Sequence, residues 1–207
     1  MTRSLLLSAL GLLAVSASAA DFVGVTEDNF LVRFSSTNPG NITSAFALNG
    51  LEAGESLVGI DLRPSNNTLY GIGSLGNLYT VGLNGTLTNT GALLDSSLSG
   101  PITLNGTRFG VDFNPVADRL RVVSDTGQNL RINVGTRGTI VDGALNPGSP
   151  DIVATAYTNS FAGTTSTTQY TLDATTNSLN IQAPPNNGTQ TLVGALGVDF
   201  DKNSSFE

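Results

Sequence analysis

The chain has no cysteine, no histidine and no tryptophan among its 207 residues, and only 12% of its side chains are charged. Without cysteine there is no disulfide to staple the fold, so stability must come from packing and sheet hydrogen bonding. Without imidazole or thiol there is no Ser-His or Cys-His relay, and no soft or imidazole ligand for zinc, copper or haem. No apolar run after the first twenty residues approaches the roughly 18 needed to span a bilayer as a helix. Apolar residues at helical spacing never persist beyond a turn or two after that point, so no glycine-rich phosphate loop opens a helix. What survives is carboxylate chemistry or calcium-assisted hydrolysis. A glycosidase needs a pair of acids, one with a raised pKa, and Glu27, Glu52, Glu55 and Glu207 stand in no distinctive motif.

The first twenty residues, MTRSLLLSALGLLAVSASAA, hold one basic residue, Arg3, an apolar run from Leu5 to Val15, and small residues around Ala17-Ser18-Ala19. That is the three-part pattern of a secretory signal peptide, with the mature chain expected to start near Ala20 or Asp21. Loss of Arg3 with the leader leaves eight basic side chains against sixteen acidic ones, which excludes nucleic acid and anionic membranes as natural partners. Low charge with abundant Gly, Ser, Thr and Asn is the balance of an extracellular all-β protein. Six N-x-[ST] sequons, at Asn41, Asn66, Asn84, Asn105, Asn187 and Asn203, read either as glycosylation sites of a secreted glycoprotein or as plain turn chemistry.

A shift of 51 residues lays GIDLRPSNNTLYGIGSLGNLYTV, from Gly59, on GVDFNPVADRLRVVSDTGQNLRINV, from Gly110. Asp61 falls on Asp112, Pro64 on Pro115, Leu69 on Leu120 and Gly76 on Gly127, and one residue near Asn129 is expected to loop out so that Leu78 meets Leu130. Each unit reads as four short strands with turns every 8 to 12 residues, the signature of a β-propeller blade. The expected domain is an all-β, propeller-like repeat over 21–207, with units at about 21–48, 57–94, 108–143 and 152–199. The first unit lacks an opening strand. Residues 191–201 could supply one and close a four-unit ring, but the preferred expectation is a domain incomplete at its C-terminus, with an exposed sheet edge.

Three runs, GVDFNPVADRLRVVSDTGQNLRIN, LEAGESLVGID at 51–61, and IVATAYTNSF with TQTLVGALGVD, resemble the secreted family catalogued as domain of unknown function 4394. The resemblance covers most of the mature chain. It implies a propeller-like all-β domain of exported, mainly bacterial proteins, and it carries over no catalytic residues.

The third unit concentrates the arginines. With Asp125-Thr126-Gly127 as a three-residue hairpin loop whose Gly takes positive φ, Val122 pairs with Leu130, Arg121 with Arg131, Leu120 with Ile132 and Arg119 with Asn133. One face is then aliphatic, and the other carries Arg119, Arg121, Asn129, Arg131 and Asn133. Opposed arginines repel unless an anion or carboxylate lies between them. The face is therefore an anion site, or its arginines pair with Asp112, Asp118 or an acid of the neighbouring blade. The second unit holds Tyr70 and Tyr79 at the corresponding positions, which favours packing. Asp61 and Asp112 pose a similar choice: a ring of carboxylates holding calcium, or acceptors for backbone N–H groups at the adjacent turn. Recurrence favours the second, so no cofactor is expected. The function that fits is a secreted, non-catalytic propeller module with a binding or structural role, its partner a carbohydrate or a protein. The alternative is a carboxylate- or calcium-dependent propeller hydrolase of glycosidase or lactonase type.

Overall fold

Short apolar runs that alternate with polar residues and end at Asn-Gly or Pro turns favour strands over helices, and the computed structural model, which describes residues 19–199 and 206, is all-β. Most of the leader read at 1–20, and the sequon at Asn203, lie outside the described residues. The first sheet holds β1 (Asp21–Val25), β2 (Phe30–Ser35) and β3 (Asn38–Ala47). The second holds β4 (Leu57–Arg63), β5 (Thr68–Gly73), β6 (Asn77–Val81) and β7 (Leu87–Ala92), followed by the two-residue β8 (Leu94–Asp95). The third is built from β9 (Phe109–Asn114), β10 (Arg119–Ser124), β11 (Asn129–Ile132) and β12 (Gly138–Val141), with β8 parallel to β12 at its edge. The fourth comprises β13 (Ile152–Tyr157), β14 (Gln169–Asp173), β15 (Ser178–Gln182) and β16 (Gln190–Ala195). Four small, consecutively wound antiparallel sheets in a propeller arrangement are what the repeat predicts. The first has three strands, and among the described residues no strand pairing joins the first sheet to the last.

Three first strands, β4, β9 and β13, lie side by side in the middle of the array. A Gly-x-Asp motif brings them there. A Cβ on Gly59 would overlap the Val111 side chain, and one on Gly110 would stand 2.6 Å from the backbone nitrogen of Thr155, so only glycine allows this approach. Two residues on, Asp61 accepts the N–H of Phe113 (2.6 Å), and Asp112 accepts the N–H of Tyr157. Each aspartate thus holds the first strand of the next blade. On the outside, the chain leaving each blade bonds the next one: Asn49, Leu94 and Asn146 donate N–H groups to the carbonyls of Gly85, Arg137 and Gly188, all three at positive φ.

Alternation then decides what fills each interface. Tyr70, Ile72 and Leu78 of the second blade meet Phe113, Leu120, Val122, Leu130 and Ile132 of the third, with the Tyr70 and Phe113 rings edge-to-face at 5.6 Å. At about 1.5–3 kcal/mol per fully buried aliphatic or aromatic side chain, this is the main apolar core. Leu31 of the first blade packs with Leu69, Tyr79, Val81 and Leu87 of the second. Phe206 packs against Val153, Ala154 and Leu172 of the fourth.

The register corrects one expectation. No residue loops out near Asn129: Tyr70 pairs with Thr80 as Arg121 pairs with Arg131, so Arg131 corresponds to Thr80, not Tyr79. Both hairpins close through the same short loop, in which Gly76 and Gly127 at positive φ bond back to Gly73 and Ser124, leaving no room for an extra residue.

Candidate functional site at the interface of the third and fourth blades

The fourth blade presents to the third a face of a different kind. Tyr157 pairs with Gln169 as Phe113 pairs with Leu120, and Thr171 with Asn180 as Val122 with Leu130. The apolar set Phe113, Leu120, Val122, Leu130 and Ile132 is therefore matched, position by position, by Tyr157, Gln169, Thr171, Asn180 and Gln182, all buried. Facing them across the interface stand Arg121 and Asn129. Among the described residues, Val123, Leu145 and Ile152 make a small apolar cluster there.

Buried amides and hydroxyls cost free energy unless bonded, and here they bond one another. Arg121, 2% exposed, donates to the Tyr157 hydroxyl (3.2 Å), Asn129 Oδ1 (2.8 Å), Asp142 Oδ2 (2.7 Å) and Asn186 Oδ1 (2.8 Å). The Tyr157 hydroxyl donates to Gln169 Oε1, and Gln169 Nε2 to Thr155 Oγ1. Gln182 Nε2 reaches the Pro185 carbonyl, and Gln190 Nε2 reaches Gln182 Oε1. Burial pushes the Tyr157 phenol up from its ordinary value.

The structure places each residue singled out above. Arg121 and Arg131 stand opposite each other in register, and the carboxylate between them is Asp142, from the same blade's outer edge. Arg131 grips it through two bonds, of 3.1 and 2.9 Å, and its own pKa is raised by that contact. Asp118 is instead held by Arg63 of the second blade in a bidentate pair (2.8 and 2.5 Å), which lowers its pKa. Arg119 bonds the carbonyl of Asp118 in its own turn and takes no part in the cluster. Asp61 and Asp112 lie on the neighbouring first strands β4 and β9. Burial pushes the Asp61 carboxyl up, against the lowering effect of a bond with Asp112 and of the N–H groups of Phe113 and Leu62. Asn41, Asn66, Asn84, Asn105 and Asn187 are all exposed. Glu55 is buried, accepting the Tyr79 hydroxyl (2.5 Å), the Leu75 N–H (2.9 Å) and Asn77 Nδ2 (3.0 Å). Burial, with that hydroxyl bond, pushes the Tyr79 phenol up to about 12.

The polar layer opens at one end into a cleft of about 180 Å³, lined by Asn114, Tyr157, Gln169, Gln182, Ala183 and Pro185, with Thr167, Thr168 and Ile181 completing it. None of these nine is charged. Among the described residues no group of three or more acidic side chains is placed to hold a metal ion, and no helix is long and apolar enough to cross a membrane. Sequence reasoning missed Asp142, Tyr157 and the glutamines. The signal was present in QYTLD and SLNIQ, whose alternation sets Gln169 and Thr171, then Asn180 and Gln182, on a single face.

The sequence profile of a family described as a domain of unknown function, DUF4394, matches residues 30–207. No curated protein matches the chain significantly. Among solved structures, the chain is similar to virginiamycin B lyase from Staphylococcus aureus, with 17% identity over 82% of this chain and 50% of that one, at a TM-score of 0.45. A protein of unknown function from Bacteroides thetaiotaomicron gives 17% identity, 82% and 42% coverage and a TM-score of 0.48. An auxiliary nutrient binding protein from Bacteroides ovatus gives 14%, 82% and 46%, and 0.49. The chain spans half the length of these structures or less.

Proposed function

We propose, from the premise that the chain belongs to the DUF4394 family, that it is an exported, non-catalytic propeller module that binds its ligand at the interface of the third and fourth blades. The observation that carries this reading is the polar layer itself. The chain fills the preceding interface with apolar side chains at the same backbone positions, and departs from that solution where the layer meets an open cleft. Five acids that are buried or half-buried in the fold are engaged within it. Asp142 and Asp118 are held by arginines, Glu55 by donors of Leu75, Asn77 and Tyr79, and Asp61 and Asp112 by the backbone of the next blade. The same bonding supports a fold that needs no calcium, so a chelator should leave its melting temperature in place. The leader pattern at residues 1–20 supports export.

The test is a panel of chromogenic glycosides and lactones, run beside N-terminal sequencing of the protein from culture supernatant. The expected result is no turnover and a chain beginning between Ala17 and Asp21. Turnover abolished by Asp112→Asn would overturn the non-catalytic reading, and an intact Met1 would overturn export.

A further inference from the structure

The cleft carries an inference about ligand class that rests on the binding-module reading. We infer that it takes a single ring of a neutral saccharide. Three features of the lining point this way. It holds no charged side chain, so it offers nothing to offset the desolvation of a phosphate, carboxylate or ammonium group. The polar side chains that reach its surface are the amide of Asn114 and the hydroxyls of Thr167 and Thr168, which both donate and accept and so suit sugar hydroxyls, which do the same. Ile181, Ala183 and Pro185 add apolar surface beside them, matching the C–H faces of a pyranose. At about 180 Å³, the cleft is smaller than the roughly 300–1,000 Å³ of sites for drug-sized ligands, and a longer chain would continue into solvent.

The repeat supplies the second argument. Leu62, Leu69 and Val81 of the second blade and Phe113, Leu120 and Ile132 of the third occupy the row that holds Tyr157, Gln169 and Gln182 in the fourth. Apolar side chains thus satisfy this fold twice. Gln169 and Gln182 are fixed by bonds to Tyr157, Thr155, Pro185 and Gln190, so the wall behind the cleft is set before a ligand arrives, which lowers the ordering cost of binding.

The experiment is titration calorimetry of the mature chain with neutral hexasaccharides (maltohexaose, cellohexaose, xylohexaose and mannohexaose) and with a hexamer of galacturonic acid. At least one neutral sugar should bind saturably, and the acidic one should not. Ala183 is exposed at the cleft and in none of the side-chain networks, so Ala183→Arg should fill the site, leave the melting temperature unchanged and weaken binding at least about tenfold, or about 1.4 kcal/mol. Gln169→Leu, which installs the third blade's own residue and removes the bonds to Tyr157 and Thr155 that set the wall of the cleft, should also weaken binding. The inference fails if no neutral hexamer binds, if only the acidic one does, or if a neutral one binds with the same affinity to Ala183→Arg. A sugar that is hydrolysed, but only while Ala183 is unaltered, overturns the non-catalytic reading and leaves the ligand class of the cleft standing.

Discussion

Between the second and third blades, Tyr70, Ile72 and Leu78 lie against Phe113, Leu120, Val122, Leu130 and Ile132. Between the third and fourth, Arg121, Val123 and Asn129 lie against Tyr157, Gln169, Thr171, Asn180 and Gln182. The backbone plan is shared. In both cases a glycine admits the next first strand, an aspartate two residues later takes its N–H, and the exit chain bonds the next outer strand. Two roles that a single interface usually confounds are thereby separate in this chain. Backbone latches set the spacing and order of the blades, while side chains decide whether an interface is inert core or a hydrogen-bonding surface. Apolar filling tolerates approximate fits, but a buried polar network must be complete to hold at all.

The largest expected effect comes from breaking the polar filling. Arg121→Met leaves Asp142 short of one partner and Asn129, Asn186 and Tyr157 without their shared donor, so it should cost about 3–5 kcal/mol in chemical denaturation. Tyr70→Phe, at the equivalent position of the apolar interface, should cost less than about 1 kcal/mol, within the range of a surface hydrogen bond. Equal losses in the two variants would end the distinction between the interfaces.

The backbone latches should respond next. A Cβ at Gly110 meets the backbone of Ala154 and Thr155, which cannot rotate away, whereas at Gly59 it meets the side chain of Val111. Gly110→Ala should therefore cost about 1–3 kcal/mol or more, and Gly59→Ala should fall toward the lower end of the same range. Hydrogen exchange should report the loss at β13 in the first variant and at β9 in the second. A smaller effect belongs to the rim. Arg63→Ala removes a bidentate pair that is partly exposed, with side chains 21% and 35% accessible, so about 1 kcal/mol or less is expected, shrinking with salt.

Much of this architecture can be read from the chain. The 51-residue offset, the Gly-x-Asp pair and the Arg121–Arg131 opposition follow from alternation and hairpin rules, because a three-residue loop fixes register. The partners of those residues cannot be read the same way. Asp142 lies 11 residues beyond Arg131 and reaches it because the outer strand folds back, and Asn186 reaches Arg121 from another blade 65 residues away. Such contacts depend on how sheets stack, which local pattern does not encode. The fourth blade's polar face was legible in its alternation, but alternation alone does not say which face meets a neighbouring sheet.

Within the interface of the second and third blades, two carboxyls should give slopes with pH of opposite sign. Asp61 and Asp112 are bonded to each other between β4 and β9, and burial holds the Asp61 carboxyl above its ordinary value of 3.8. A carboxyl with a raised native pKa binds its proton more tightly folded than unfolded. Its contribution is therefore fully present below the unfolded pKa and is lost as pH rises through the folded one. Asp118 runs the other way: Arg63 lowers its pKa, so its contribution is present above the unfolded pKa and is lost as pH falls through the folded one. The groups facing Asp61 are Tyr70 across β5, Arg63 on its own strand, and Asp112 with the N–H of Phe113 on β9, and Asp112 in turn stands in register with Arg121. Asp61→Asn keeps an acceptor for the Phe113 N–H and removes the titration. The difference in stability between native protein and Asp61→Asn, measured by denaturation from pH 4 upward, should move against the native protein as pH rises and then level off. The same difference for Arg63→Ala should move in favour of the native protein over the acid end of the scale. A flat difference for Asp61→Asn would mean that hydrogen bonds offset burial at Asp61, and that the latch, unlike the Arg63 pair, contributes no slope.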